Sequence, residues 1–459
     1  MKTTGLMFTQ KFTHKFAGHF TAKCIPALIA LGFLFGGSAS AASPLPSEDK
    51  QIHMGVASCA NSVCHGAVIP HINSNIAHTE YTVWTRKDPH ARVYRDLFRK
   101  DFVAITRKLG LKEPHLEPTC LACHASNIEP QFQGAKFSMT DGIGCETCHG
   151  GSEKYIARHT DKDATRAKNI ANGLFPTDNI IERTRLCLSC HYGTSDNFVT
   201  HKIMGAGHPR ISFELDTFTE LLEPHVIYDD DYAARKPVYS HVKMWALGQA
   251  VAAESMLSLL QDKHLQAAGL FPELSLFDCH SCHHPMSQQT WQPKKSTGLG
   301  PGAVPLNDSS LLMLSLVLQE IDPKLGKQLV KTLKTLHTGT NSSPWVTKKY
   351  ATELRAIVKT AITVVDKHQF SPAQTVALTN ALLASGIAGE YRDYIAAEQC
   401  VMGIGALVAA WNDIKPFAPA TNSMVGQLME GLYESVANDE SFVPGEFEAA
   451  LAQLKAGLN

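Results

Sequence analysis

The chain has 459 residues, a formal net charge of −1, 44% hydrophobic residues and 19% charged residues. That length exceeds what one ordinary core serves, the composition excludes a disordered or membrane-embedded chain, and the near-zero charge leaves no argument for a nucleic-acid partner. Twelve Cys beside 22 His require an explanation in metal or haem chemistry, or in disulfides.

The chain opens on a basic leader, Lys2, Lys11, Lys15 and Lys23, with no acidic residue. An apolar run from Cys24 to Phe35 follows, then the small residues Gly36 to Ala42. This order is that of a secretory signal peptide spanning 1–42, with Ala39-Ser40-Ala41 or Ser40-Ala41-Ala42 as the cleavage box. The apolar run is shorter than the roughly 20 residues a spanning helix needs. Cys24 precedes that run, where a lipoprotein Cys would follow it. Removing the four lysines takes the formal charge to about −5. No second long apolar segment is expected, so the mature chain reads as periplasmic or exported and not membrane-spanning.

Residues 43–285 carry a repeated motif. Cys59-Ala60-Asn61-Ser62-Val63-Cys64-His65 opens the series with four residues between its cysteines. Four strict Cys-x-x-Cys-His motifs follow: Cys120/Cys123/His124, Cys145/Cys148/His149, Cys187/Cys190/His191 and Cys279/Cys282/His283. Two thiols at this separation reach the two vinyl groups on one edge of a porphyrin, and the following His places a nitrogen on the iron. Four intervening residues can do the same by bulging outward. Zinc sites and disulfides also use paired cysteines, but neither explains a His after every pair. The expected cofactor is haem c, five per chain, with the Cys59/Cys64 site the irregular one. Cys400 is left over, in an apolar helical stretch that suits a packing residue.

Each motif supplies one axial ligand, and the other decides the chemistry. A second His gives a low-potential carrier, and an empty position gives a binding site. Candidates are His71, His78, His90, His115, His159, His201, His208, His225, His241, His264, His280 and His284. The Thr200–Arg210 stretch, with His201 and His208 seven residues apart and glycines between, suits a loop around a haem edge. It offers His208 or His201 for the fourth and fifth haems, with His78 next.

The fold reads as mainly α: a multihaem core with little strand, then a helical bundle. Tyr94–Leu109 has a helical pattern. Ser240–Leu265 reads as a long amphipathic helix with Val242, Trp245, Ala246, Ala253, Met256, Leu257 and Leu260 on its apolar side. Residues 286–308 form a linker by composition. Within 309–459, helices are expected over Ser310–Glu320, Pro323–His337, Val346–His368, Pro372–Ala384, Glu390–Asn412, Met424–Ala437 and Gly445–Leu458. Ser371-Pro372 supplies a cap and a first-turn proline, and Asn307-Asp308-Ser309 could cap the first of these helices.

Trp84, Asp88-Pro89-His90-Ala91-Arg92, and Gly142-Ile143-Gly144-Cys145-Glu146-Thr147-Cys148-His149-Gly150-Gly151 with His159 ten residues beyond His149 carry a family resemblance. Over about residues 53–200 the chain resembles the cytochrome c-554 family of tetrahaem electron carriers. The resemblance implies His90 as the distal ligand at His149, His159 as that at His65, and an open iron at His124. The four-residue spacing at Cys59, the fifth motif at Cys279 and everything after residue 285 depart from it.

These readings point to an electron carrier working between a redox protein donor and a redox protein acceptor. The alternative is a haem enzyme that reduces or oxidises a small nitrogen or sulfur compound at a five-coordinate haem. No Cys-x-x-Cys-Lys motif resembling that of pentahaem nitrite reductases is present.

Overall fold

Helix-forming stretches alternate with Gly- and Pro-rich turns through the whole chain, and a computed structural model shows the consequence. It describes residues 43–458 apart from 73, 267–272, 285–291 and 341–342. The leader, with its four lysines, Cys24 and cleavage box, lies outside the described residues, as does Trp291 of the linker. The first helices are α1 (Glu80–Lys87), α2 (Val93–Asp96), α3 (Lys100–Leu109), α4 (Pro118–His124), α5 (Cys145–His149), α6 (Arg166–Ala171) and α7 (Ile180–His191). They continue through α8 (His201–Gly205), α9 (Leu215–Leu221), α10 (Asp230–Arg235), α11 (His241–Leu259) and α12 (Lys263–Gln266). The last seven are α13 (Ser309–Ile321), α14 (Pro323–Thr340), α15 (Pro344–Lys367), α16 (Pro372–Ile387), α17 (Tyr394–Ile414), α18 (Pro419–Glu434) and α19 (Pro444–Leu458). No strand occurs among the described residues; the β-type pairings are two isolated bridges, His53 with Gln133 and Phe277 with Leu306. The protein is mainly α, as its sequence implies.

The seven helices expected after residue 308 are all present, with ends shifted by up to five residues, most at α18. Ser371 accepts from the Gln374 amide and the Gln374 side chain accepts from the Ser371 amide, a complete capping box. The 94–109 pattern breaks in two. Between α2 and α3 the chain turns so that Leu97 is fully buried against Leu121 and Ala125. Few other aliphatic side chains cluster around the first four motifs.

The large core lies elsewhere. α11 packs on α7, α9, α13, α15 and α17. Its seven expected apolar residues are buried, and so are Leu247, Ala250, Val251 and Leu259. It is therefore a central helix and not an amphipathic one, because a helix covered on all sides is apolar all round. Each such Leu or Trp contributes about 1.5–3 kcal/mol by its burial. α17 amends another expectation: among the described residues it is long and apolar enough to cross a membrane, yet most of it is buried in this core. Cys400 sits fully buried within it, as a packing residue should. From Ser43 onward the chain forms one compact unit.

Two buried cations tie the elements together. Lys243 of α11 donates to the carbonyls of Val365, Asp366 and His368 at 2.5–2.7 Å, satisfying the free C-terminal carbonyls of α15. Lys294 bonds Asp308 at 3.2 Å and Asp393 at 3.1 Å, and His337 donates to Asp308 at 2.9 Å. Asp308 sits at the N-cap position of α13 but does not cap it, because its carboxylate is turned to Lys294 and His337. Burial pushes the Asp308 carboxyl up, but Lys294 and then His337 outweigh it and hold it at about 2. A carboxyl depressed in the folded state stabilises above its unfolded pKa of about 3.9 and loses that contribution as pH falls towards 2. Lys294→Met should therefore cost about 3–5 kcal/mol at neutral pH, by removing the cation from Asp393 and leaving Asp308 with His337 alone. The deficit should shrink below pH 4 as Asp308 protonates. Thermal unfolding of both proteins across pH 2–7 checks this.

Candidate haem centres

Three strict motifs lie on helices: α4 ends on His124, α5 is Cys145–His149, and α7 ends on His191. Residues three apart on a helix share a face, so both thiols of each pair point the same way. The fifth motif forms a 3-10 turn, Cys279–Ser281, closed by the His283 amide on the Cys279 carbonyl at 2.8 Å. The wider first motif keeps that closure. Its His65 amide returns to the Cys59 carbonyl at 3.2 Å, while Cys64 and Gly66 donate to Asn61. The two extra residues are looped out, with Val63 72% exposed. Residues 61–63 are exposed and bulge outward between the two cysteines.

The ten motif thiols are not equally sheltered. Eight are half-buried, but Cys64 and Cys282 are exposed. Among the strict motifs Cys282 differs from the other thiols in its exposure. Cys123, Cys148 and Cys190 lie within helices that pack against neighbouring chain. Cys282 lies just past the short 3-10 turn, tied back by its own amide on the Cys279 carbonyl at 3.1 Å. Its side chain therefore sits at the surface, while Cys279 of the same pair keeps its cover. Cys64 is exposed for a related reason, since it directly follows the looped-out Val63.

None of the eleven described cysteines forms a disulfide. Among the described residues no group of three or more His, Cys, Asp or Glu side chains is assembled for a metal ion. Histidines instead meet in twos. An iron bonded to two imidazoles lies about 2 Å from each nitrogen, and each nitrogen about 1 Å from its ring centre, so such rings stand roughly 6 Å apart. His65 faces His159 at 6.2 Å, His124 faces His208 at 6.4 Å, and His149 faces His225 at 6.4 Å. His191 faces His90 at 6.0 Å, and His283 faces His201 at 6.0 Å. Every motif histidine thus has one partner at the separation that two ligands of one iron require. Distance alone does not define a site: His280 and His284 are also 6.1 Å apart, but neither follows a cysteine pair.

Several rings are fixed from behind. His65 Nδ1 lies 3.1 Å from the Glu80 carboxylate and His90 Nδ1 lies 2.9 Å from Asp88. His159 Nδ1 meets the Tyr155 carbonyl at 3.1 Å, and His208 Nδ1 the Pro209 carbonyl at 2.7 Å. Each bond leaves Nε2 as the free nitrogen, as ligating histidines require. Burial pushes His149 and His191 down to about 4, which keeps them neutral and able to donate to a metal.

The sites adjoin through specific bonds. Glu146, inside the third motif, is buried and accepts the amides of Met54 at 2.8 Å, Gly55 at 2.7 Å and Ser152 at 2.8 Å. It thereby holds the entry to the first motif against the third. Ile143 donates to the His90 carbonyl at 3.1 Å and accepts from Trp84 Nε1 at 3.0 Å. Gly142, at φ +72°, passes so close to that carbonyl that a Cβ would sit 2.7 Å from it, and a Cβ on Gly144 would sit 2.6 Å from Val56. The fourth motif reaches the second where Cys190 Sγ lies 4.0 Å from the Ala122 carbonyl. The Cys123 thiol beside it holds the Cys190 thiol below its ordinary value. The second and fifth sites share one segment, 201–208, whose start is bonded to Glu273 through the His201 amide at 2.7 Å.

Several residues stand apart from what the sequence and the resemblance imply. His90 lies opposite His191, and His225 takes the place opposite His149. His208 faces His124, where an open position was implied. His78 faces no motif histidine: its Nδ1 meets the Cys64 carbonyl, its Nε2 lies 3.1 Å from Ser74, and its ring stacks on His71. It is also the non-glycine residue with positive φ among those described, held there by these contacts. His225 has no local signal in the sequence. Glu80 and Glu146 are equally silent there, although Glu146 sits inside a motif.

Paired thiols, a following His and a facing His define the site type of a c-type cytochrome. Residues 51–150 match the family of cytochrome c554 and c-prime, and over that stretch the chain is similar to that family. The stretch holds the first three motifs and α1 to α5, and it ends at Gly150, before the fourth and fifth motifs. No curated protein and no solved structure matches the chain.

The carboxylate of Glu146 joins the third motif to the entry of the first through the Met54 and Gly55 amides and also holds Ser152. Glu146→Gln should destabilise the haem-loaded protein by about 2–3 kcal/mol, the worth of charge-assisted bonds lost in a buried site. It should also lower occupancy at Cys59/Cys64. Thermal unfolding and intact mass read the two effects.

Proposed function

We propose that the chain is an exported pentahaem c-type cytochrome that passes electrons between a protein donor and a protein acceptor. The observation that carries this reading is that all five motif histidines face a second histidine at 6.0–6.4 Å. Bound haem c would supply reversible one-electron chemistry at each site. The chain would supply the rest: Cys59/Cys64, Cys120/Cys123, Cys145/Cys148, Cys187/Cys190 and Cys279/Cys282 would attach the rings, and the ten facing histidines would hold the irons. Two histidine ligands favour electron transfer with little ligand binding.

The bonds between motifs favour a single row of sites in the order His65, His149, His191, His124, His283. The fifth site is then a terminal extension beside the helical region, where the turn Cys279–Ser281 packs on α17. Arg210 and Ser212 both bond Glu398 of α17, at 2.9 and 2.6 Å, and so anchor the adjoining segment. The exposed Cys282 puts an edge of this last site at the surface, where a protein partner could reach it. The basic leader with its apolar run supports export. The enzymatic alternative rested on a vacancy opposite His124, and His208 opposite that ring favours the relay.

Intact mass of the loaded protein should give five haems; four would remove the Cys59/Cys64 site. The electron paramagnetic resonance spectrum of the oxidised protein should contain low-spin signals alone. It should contain two kinds, because the ring planes are 13° and 36° apart at His65/His159 and His201/His283 but 78–90° apart at the other three. His225→Ala should turn one haem high-spin, and His78→Ala none. A high-spin component in the unsubstituted protein would mean an open iron and would favour the small-molecule enzyme.

A further inference from the structure

The eight-residue helix α1 touches two separate sites, one at each end. Glu80 is its first residue and sets its carboxylate 3.1 Å from His65 Nδ1. Asp88 follows its last residue and sets a carboxylate 2.9 Å from His90 Nδ1. Both carboxylates are largely shielded, with side-chain exposures of 19% and 18%. Their order is enforced. Asp88 also accepts the His90 amide at 2.9 Å, and Trp84, between the two ends, is anchored on the Ile143 carbonyl. Among the described residues these are the two carboxylates that bond a histidine facing a motif partner. His159 and His208 bond neutral carbonyls instead.

The difference has an electronic consequence. A carboxylate on Nδ1–H draws that proton away and gives the imidazole imidazolate character, so Nε2 becomes a stronger donor. A stronger donor and a nearby negative charge both favour ferric over ferrous iron. A carbonyl does this weakly, and an unbonded ring not at all. We propose that α1 is a redox-tuning element: through Glu80 and Asp88 it holds the His65/His159 and His191/His90 sites at lower potential than the other three. In the row above, this makes the His65 end the more reducing one. The inference rests on the reading of these histidines as iron ligands.

Glu80→Gln and Asp88→Asn keep an acceptor oxygen in place and remove the charge, so ring orientation is preserved while the electronic effect is lost. In a spectroelectrochemical titration of the full haem-loaded protein, each single variant should move one of the five one-electron steps to more positive potential and leave four unmoved. The double variant should move two. Five attached haems, low-spin spectra and five unmoved steps would overturn the proposal and leave the carboxylates a purely orienting role. Should either variant lose haem, the unsubstituted protein still decides. Its near-infrared ligand-to-iron charge-transfer bands move to higher energy with imidazolate character, so two of the five should be displaced. One common band would overturn the proposal. A haem count below five by intact mass would instead be a failure of the five-site reading, and the Asp88 arm would remain a test at its own site.

Discussion

A cysteine-paired motif can reach only one face of a flat ring, and that limit organises the whole motif-bearing half of this chain. The opposite face must be served by a residue from elsewhere. His159 comes to His65, His225 to His149 and His208 to His124 from later in the chain; His90 and His201 come to His191 and His283 from earlier. Segments therefore cross one another, and the crossings do what strand pairing or aliphatic packing does in other folds. Among the described residues the aliphatic cluster assembled around the first motifs is small, Leu97, Leu121 and Ala125. Burial of apolar haem faces is the remaining source of cohesion expected there.

The crossings are held by polar bonds placed where chains meet. Glu146 closes the first motif onto the third, the His90 carbonyl receives Ile143, and Glu273 receives His201. Each is a buried or half-buried acceptor taking backbone amides that would otherwise have no partner, so each is costly to remove. The glycines around the third motif belong to the same arrangement. Gly142 and Gly144 allow the backbone to approach within a distance that a Cβ would forbid. The specific look of Gly-x-Gly-Cys-Glu-x-Cys-His is thus a record of close packing between two neighbouring sites.

The second half of the chain works by a different rule. α11 and α13 to α19 bury a continuous aliphatic core, and the lysines that enter it are held by hydrogen bonds, as at Lys294 and Lys243. α11 belongs by sequence to the motif segment but by packing to this core. The fifth motif, too, sits between the two: its turn packs on α17, and the following segment carries Lys294 to Asp308 and Asp393. In the proposed row, the final site can thus extend the shorter series without an independent domain to hold it. The same packing explains the asymmetry of that site's thiols, since the core shelters Cys279 and stops short of Cys282.

The sequence by itself determined the attachment chemistry, because Cys-x-x-Cys-His is a local code in which spacing and order are the mechanism. It determined the helices after residue 308 for the same reason: periodicity, Ser371-Pro372 and Pro-initiated turns act within a few residues. It also implied His159 opposite His65. It could not decide the remaining partners. Twelve histidines were chemically equivalent as candidates, and His225 and His90 were assigned only when residues 76 and 101 positions away came within about 6 Å of them. Nor could it show that a helix such as α11 would be covered on every side, that Cys282 would be left at the surface, or that the Asp308 carboxylate would turn from its cap to a buried lysine. Those outcomes depend on which distant segments pack together, and only the tertiary structure contains that information.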